Sequence, residues 1–208
     1  MKNNTAKNHK TNPSSLSQIN ETATIQEGAF LIGDCKVGAN SFIGAGSVVE
    51  NSVIGDSVVV KCSYIENSTI KNNVSIGPFA HIRPNSVICD GVKIGNFVEI
   101  KNSVVEEKSK VSHLAYVGDA EIGKRCNIGC GAIFVNYNGK QKQKTIVEDD
   151  CFVGSNCNII APVRLASKTY VCAGSTLTKN TKPNDFVIAR SREIIKNNYA
   201  QKYLEGGE

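Results

Sequence analysis

The sequence predicts an all-β chain wound into a parallel β-helix, and three observations carry that prediction. A branched apolar residue returns at every sixth position: Ile25, Leu31, Val37, Ile43 and Val49, then Ile70, Ile76, Ile82, Ile88, Ile94 and Ile100, then Val147, Val153, Ile159, Leu165, Val171 and Leu177. Within a hexad the second residue is often Gly and the fifth is small, as in Val37-Gly38-Ala39-Asn40-Ser41-Phe42 and Val153-Gly154-Ser155-Asn156-Cys157-Asn158. A period of six matches neither the 3.6 of a helix nor the 2.0 of a strand, but it fits a short strand plus a turn, repeated.

Three hexads make one triangular coil. The branched residue points into the prism, Gly allows the tight corner, and the small residue fits the narrow interior. The pattern, which runs over roughly residues 25–182, resembles the hexapeptide-repeat proteins, whose fold is a left-handed parallel β-helix. The hand comes from that resemblance, since parallel crossovers are otherwise right-handed. One unbroken repeat in 208 residues predicts a single domain of about eight or nine coils. Five-residue steps, such as Val49 to Ile54, Ile100 to Val105 and Val117 to Ile122, predict that some coils are one residue short.

The ends differ from the repeat. Residues 1–20 are polar and read as a disordered leader without the apolar run of a secretory signal. Residues 21–187 form the β-helix, with a polar insertion at 136–144, and residues 188–208 form a C-terminal arm whose apolar residues Ile195, Tyr199 and Tyr203 have helical spacing. No run approaches the ~18 apolar residues of a membrane span, so a soluble, cytoplasmic protein is expected. Four of the eight cysteines, Cys35, Cys126, Cys151 and Cys157, fall on the small fifth position and are expected to be reduced core residues. No metal site is expected. Hexapeptide-repeat carbonic anhydrases use three histidines, and this chain offers only His9, His81 and His113. A net charge of +5 is compatible with anionic small molecules, and nothing resembles a nucleic-acid module.

Departures from the repeat cluster between residues 83 and 144. Arg83 and Lys101 take the second hexad position, where Gly is common, and stand 18 residues apart, which is one coil. Such cations stack at about 4.8 Å and repel unless an anion or a carboxylate intervenes. A phosphate fits; splaying into solvent or pairing with Glu99 are the alternatives. Downstream, Ser112-His113-Leu114-Ala115-Tyr116-Val117-Gly118-Asp119 places a histidine and a tyrosine on the next coil. An imidazole titrates near neutrality and can accept a proton from an attacking amine. The insertion Asn136 to Lys144 carries three lysines, which suit a surface loop or a phosphate contact.

From Gly77 to Arg190 the chain resembles the acetyltransferase domain of the bifunctional N-acetylglucosamine-1-phosphate uridyltransferase/glucosamine-1-phosphate acetyltransferase family. The resemblance rests on Gly77-Pro78-Phe79-Ala80 with Arg83-Pro84, Gly95-Asn96-Phe97-Val98-Glu99 with Lys101, His113-Leu114 with Tyr116, and Gly118-Asp119-Ala120. It continues through Asn127-Ile128-Gly129, Asn136-Tyr137, Phe152-Val153-Gly154-Ser155, Ala173-Gly174-Ser175 and Ala189-Arg190.

The resemblance implies acetyl transfer from acetyl-CoA to the amine of glucosamine 1-phosphate, a step toward UDP-N-acetylglucosamine and peptidoglycan precursors. It implies that His113 is the general base and that Arg83, Lys101, Tyr116, Asn127 and Lys142 hold the sugar phosphate. It further implies that Cys130, Asn136, Tyr137, Ser155, Ala173 and Arg190 contact acetyl-CoA, with Cys130 where some members have alanine. The Ser155 hydroxyl or a nearby backbone N–H would receive the oxyanion. Members are homotrimers with sites between neighbouring prisms. The bifunctional family carries an N-terminal nucleotidyltransferase domain, and the polar leader stands in its place here, so no uridylyl transfer is expected. An acetyltransferase for another amino sugar or nucleotide sugar, and a non-catalytic hexapeptide scaffold, remain the alternatives.

Overall fold

The structure is a computed structural model and describes residues 17–204. It is a left-handed parallel β-helix with three faces of nine, ten and nine strands, slightly longer than the eight or nine coils expected. In chain order each coil contributes one short strand to each face. One coil runs Lys93–Asn96 on the second face, Glu99–Lys101 on the third and Val104–Val105 on the first. The next runs Lys110–His113, Tyr116–Gly118 and Ala120–Ile122. Every pairing between these coils is parallel and in register, for example Ile94 on Val111, Ile100 on Val117 and Val105 on Ile122.

Three apolar ladders fill the prism. Ile76, Ile94, Val111, Ile128 and Val153 stack behind the second face, Ile65, Ile82, Ile100, Val117 and Phe134 behind the third, and Ile70, Ile88, Val105, Ile122 and Val147 behind the first, all buried. The hexad therefore works as read: one inward branched residue per strand, with outward residues on either side. Cys35, Cys126, Cys151 and Cys157 are buried and unpaired within the prism, as expected of small core residues.

Of the five short steps, Val60 to Ile65 crosses from the second face to the third, and the other four share one corner: Val49 to Ile54, Ile65 to Ile70, Ile100 to Val105 and Val117 to Ile122 cross from the third face to the first. At this corner Asn51, Asn67, Asn102 and Asp119 take positive φ of 43°, 45°, 46° and 50°, a conformation that Asn and Asp tolerate better than other residues with a Cβ. The next residue is Ser52, Ser68, Ser103 or Ala120. The serine hydroxyls seal the turn by donating to carbonyls, as Ser103 Oγ does to Lys101 O at 2.7 Å.

The start departs from the reading: Gln18–Ile19 is already a strand, paired with Lys36–Val37, so the prism starts inside the stretch read as leader; residues 1–16 lie outside the described residues. At the other end a short helix forms, which among the described residues covers Gln201–Leu204 and not the full helical spacing. Ile194 and Ile195 are 84% and 78% exposed, and a short helix with no surface to pack against gains little from propensity alone. Among the described residues no helix is long and apolar enough to cross a membrane.

Candidate active site

Two edges of the prism carry the candidate residues. The first is the corner where the second face turns into the third. His113 ends the strand Lys110–His113 there, and Asn96 sits directly beneath it in register. Asn96 Oδ1 lies 2.8 Å from His113 Nδ1; an amide oxygen accepts, so the contact favours, for the neutral ring, the tautomer with its proton on Nδ1 and Nε2 as the basic nitrogen. His113 is exposed. The backbone beneath is too tight for any side chain at Gly95, where a Cβ would sit 1.8 Å from Ser112 O.

The same edge continues through the following coils. By the pairing of Val111 with Ile128, Ile128 with Val153 and Val153 with Val171, Cys130, Ser155 and Ala173 follow His113 at one turn each. Asn156 N donates to Cys130 O at 2.7 Å and Gly174 N to Ser155 O at 2.8 Å, which ties the column together. Arg190 closes it by donating from Nη1 to Ala173 O at 3.0 Å. The N–H of Cys130, one turn from His113, donates to no acceptor among the described residues. Ser155 is two turns away, roughly 10 Å by strand spacing, so the Cys130 N–H lies nearer His113 than Ser155 does.

The second edge is the corner from the third face to the first. Arg83 N donates to Ile100 O at 2.8 Å, which puts Arg83 and Lys101 on successive turns as expected. Arg83 Nη1 meets Glu99 Oε1 at 2.7 Å, the carboxylate pairing that spacing left open. It raises the affinity of Arg83 for its proton. Lys142 from the insertion comes alongside Lys101. That neighbouring ammonium, then partial desolvation and Arg83, hold the Lys101 amine below the ordinary lysine range, while Asp119 opposes the shift. A cavity of about 270 Å³, lined in part by Asn102, Asp119, Glu121 and Lys142, opens beside this cluster.

The insertion folds back as a small hairpin. Tyr137 bridges Lys142 in antiparallel fashion, Gln143 N donates to Asn136 O at 2.7 Å, and Asn138 Oδ1 accepts from Lys140 N and Gln141 N at 3.0 and 2.9 Å. Asn136 is buried and its Nδ2 reaches Tyr116 Oη at 3.3 Å and the Asp119 carboxylate. Tyr137 is exposed and donates to Gly139 O at 2.7 Å.

Within one chain the candidates therefore form two groups. Arg83, Lys101, Tyr116, Asn136, Tyr137 and Lys142 gather on one edge, and His113, Cys130, Ser155, Ala173 and Arg190 on the other, with the third face between them. Asn127 stands apart on the second face, between Lys110 and Phe152. His113 is thus one coil above Lys101 but not beside the cations, because 12 residues advance the chain by two faces. Asn96 and Asp119, which the sequence reading assigned no role, contact His113 and Asn136. A spacing of 17 residues, one contracted coil, links each to its partner in the sequence and was the available signal.

Comparison with known proteins agrees with this architecture. The model of the GMPPB C-terminal domain matches residues 64–136, and that of the hexapeptide repeat of succinyl-transferase matches residues 35–61 and 144–179. The chain is 48% identical over 179 residues to the bifunctional protein GlmU of Caldicellulosiruptor saccharolyticus, covering 86% of the chain and 39% of that protein. It is 45% identical over 184 residues to that of Clostridioides difficile, covering 88% and 40%. The chain thus spans about two fifths of the length of these curated relatives. Its fold also matches the UDP-N-acetylglucosamine acyltransferase of Campylobacter jejuni, with a TM-score of 0.54 at 17% identity, over 80% of this chain and 69% of that one.

Proposed function

We propose that the protein transfers the acetyl group of acetyl-CoA to the amine of glucosamine 1-phosphate. The observation that carries this reading is the His113 to Asn96 contact of 2.8 Å, which favours Nε2 as the basic nitrogen at the head of an edge formed by Cys130, Ser155, Ala173 and Arg190. The identity of 48% to a bifunctional GlmU protein supports the same assignment.

In this mechanism Nε2 of His113 takes a proton from the sugar amine as its nitrogen attacks the thioester carbonyl. The N–C bond forms, and the carbonyl oxygen gains a negative charge that the Cys130 N–H receives. The intermediate then expels the thiolate as the C–S bond breaks, and the proton held by His113 returns to sulfur. Positioning the two reactants supplies much of the rate. Arg83, Lys101 and Lys142 hold the sugar phosphate, with Tyr116 beside them. Asn136, Tyr137, Ser155, Ala173 and Arg190 contact acetyl-CoA.

One chain separates the base from the cations, so the working site forms between copies, with the cation edge of one prism against the His113 edge of the next and Asn127 contributed across the contact. A homotrimer closes such heterologous contacts into a ring. The test is thiol release from acetyl-CoA by the purified protein, with glucosamine 1-phosphate as acceptor and His113→Ala as control. Release that needs both the sugar and His113 supports the reading. Release only with glucosamine 6-phosphate or a nucleotide-linked amino sugar reassigns the acceptor, and silence with every acceptor removes the activity.

A further inference from the structure

Among the described residues, Asp119 is the carboxylate that takes the left-handed conformation at a corner where Asn51, Asn67, Asn85 and Asn102 take it in the preceding turns. Its backbone shape therefore needs no charge. Its contacts use one: Oδ1 accepts from Asn102 Nδ2 at 2.5 Å and Oδ2 accepts from the buried Asn136 Nδ2, while its backbone N–H donates to Lys101 O at 3.0 Å, which seats it on the turn above Lys101. Its carbonyl accepts from Thr145 N at 3.1 Å. Asp119 thus grips the 136–144 insertion at both ends, by side chain where it leaves the prism and by backbone where it returns. The neighbouring acid Glu121 is taken up by Lys144, and Glu99 by Arg83.

We propose that Asp119 is a positioning residue that orients Asn136 for the acyl donor and Lys101 for the sugar phosphate, coupling the two halves of the site through one carboxylate. The roles of Asn136 and Lys101 rest on the function proposed above; the placement of Asp119 between them does not. Charged groups act on Lys101 from three elements: Lys142 of the insertion, Arg83 of the preceding turn and Asp119 of the following one.

The test is Asp119→Asn in the full chain, a change that the four asparagines at this corner show to suit the backbone. Two readouts do not depend on turnover. Hydrogen exchange of the amides of residues 136–144 is expected to accelerate about tenfold or more on loss of a charge-assisted bond. Reaction of the Lys101 amine with acetic anhydride, followed across pH by mass spectrometry, is expected to show a midpoint lower than in the parent protein. In active protein, the KM for both substrates rises together, and the alkaline limb of kcat/KM for the sugar phosphate moves to lower pH. A double variant, D119N with N136D, restores one carboxylate facing one amide, and protection of the insertion is expected to recover. Unchanged exchange and an unchanged Lys101 midpoint in D119N would overturn the proposal even in a fully active parent enzyme. A parent protein without turnover, in which both changes are nevertheless seen, removes the acetyltransferase reading and leaves the positioning role standing.

Discussion

Asn96 Oδ1 and His113 Nδ1 face each other at 2.8 Å across one turn of the helix. The contact favours one tautomer and sets the aim of the imidazole. Asn96→Ala removes both, and kcat is expected to fall about 10–100-fold, the value of one hydrogen bond of 1–3 kcal/mol expressed in the transition state. KM for either substrate should change little. Steady-state kinetics with each substrate varied in turn checks the split.

Glu99 occupies the Arg83 guanidinium, which the proposed function assigns to the sugar phosphate. Glu99→Gln frees Arg83 and adds one positive charge to the cluster, so the KM for the sugar phosphate is expected to drop about two- to fivefold, as for a weak, half-exposed pair. The gain should vanish in high salt. Arg83→Ala, by contrast, is expected to raise this KM and leave kcat nearly unchanged.

The Lys101 amine titrates below the ordinary lysine range because Lys142 stands beside it, with desolvation and Arg83 adding to the effect. Phosphate binding needs the protonated amine, so affinity is full below that shifted pKa and is lost as pH rises through it. Lys142→Gln removes the largest cause, and the alkaline limb is expected to move to higher pH even though binding is weaker throughout. A pH series of kcat/KM for the sugar phosphate reads the displacement.

Lys101 and Asn127 lie on different faces of one chain. If they serve one site across a contact between copies, Lys101→Ala and Asn127→Ala should each abolish most turnover, while trimers assembled from a mixture of the two should regain a measurable part. Absence of recovery in verified mixed oligomers would place the site within a single chain.

Gly95 has no room for a methyl group, since a Cβ would sit 1.8 Å from the backbone oxygen of Ser112. Gly95→Ala must push apart the two turns that carry Asn96 and His113. A loss of about 1–3 kcal/mol is expected from such overpacking, visible in the denaturation midpoint, together with a fall in kcat larger than that of distant variants of equal stability.

The prism was legible in the sequence because every inward residue makes its contacts with residues one coil away, so local spacing carries tertiary information. Arg83 over Lys101 was legible for the same reason. The pairing of Arg83 with Glu99 was one of three options that spacing left open, and diagonal side-chain reach on an outer face decides among them. The separation of His113 from the cations follows from the 12 residues between Lys101 and His113, which are two faces of the prism. The C-terminal arm was the least legible part. Its helical spacing describes a face with no partner in one chain, and only Gln201–Leu204 forms a helix.

Because each turn touches only the turns above and below, the edge that begins at His113 behaves as a ruler graduated in steps of about 4.8 Å. Cys130, Ser155 and Ala173 are its marks. Insertion or removal of one complete coil would translate every mark below it by one graduation and leave the chemistry at the head untouched. Under the proposed function, reach along the acyl donor is thus set by counting turns, and it can be altered in whole units without redesigning any pocket.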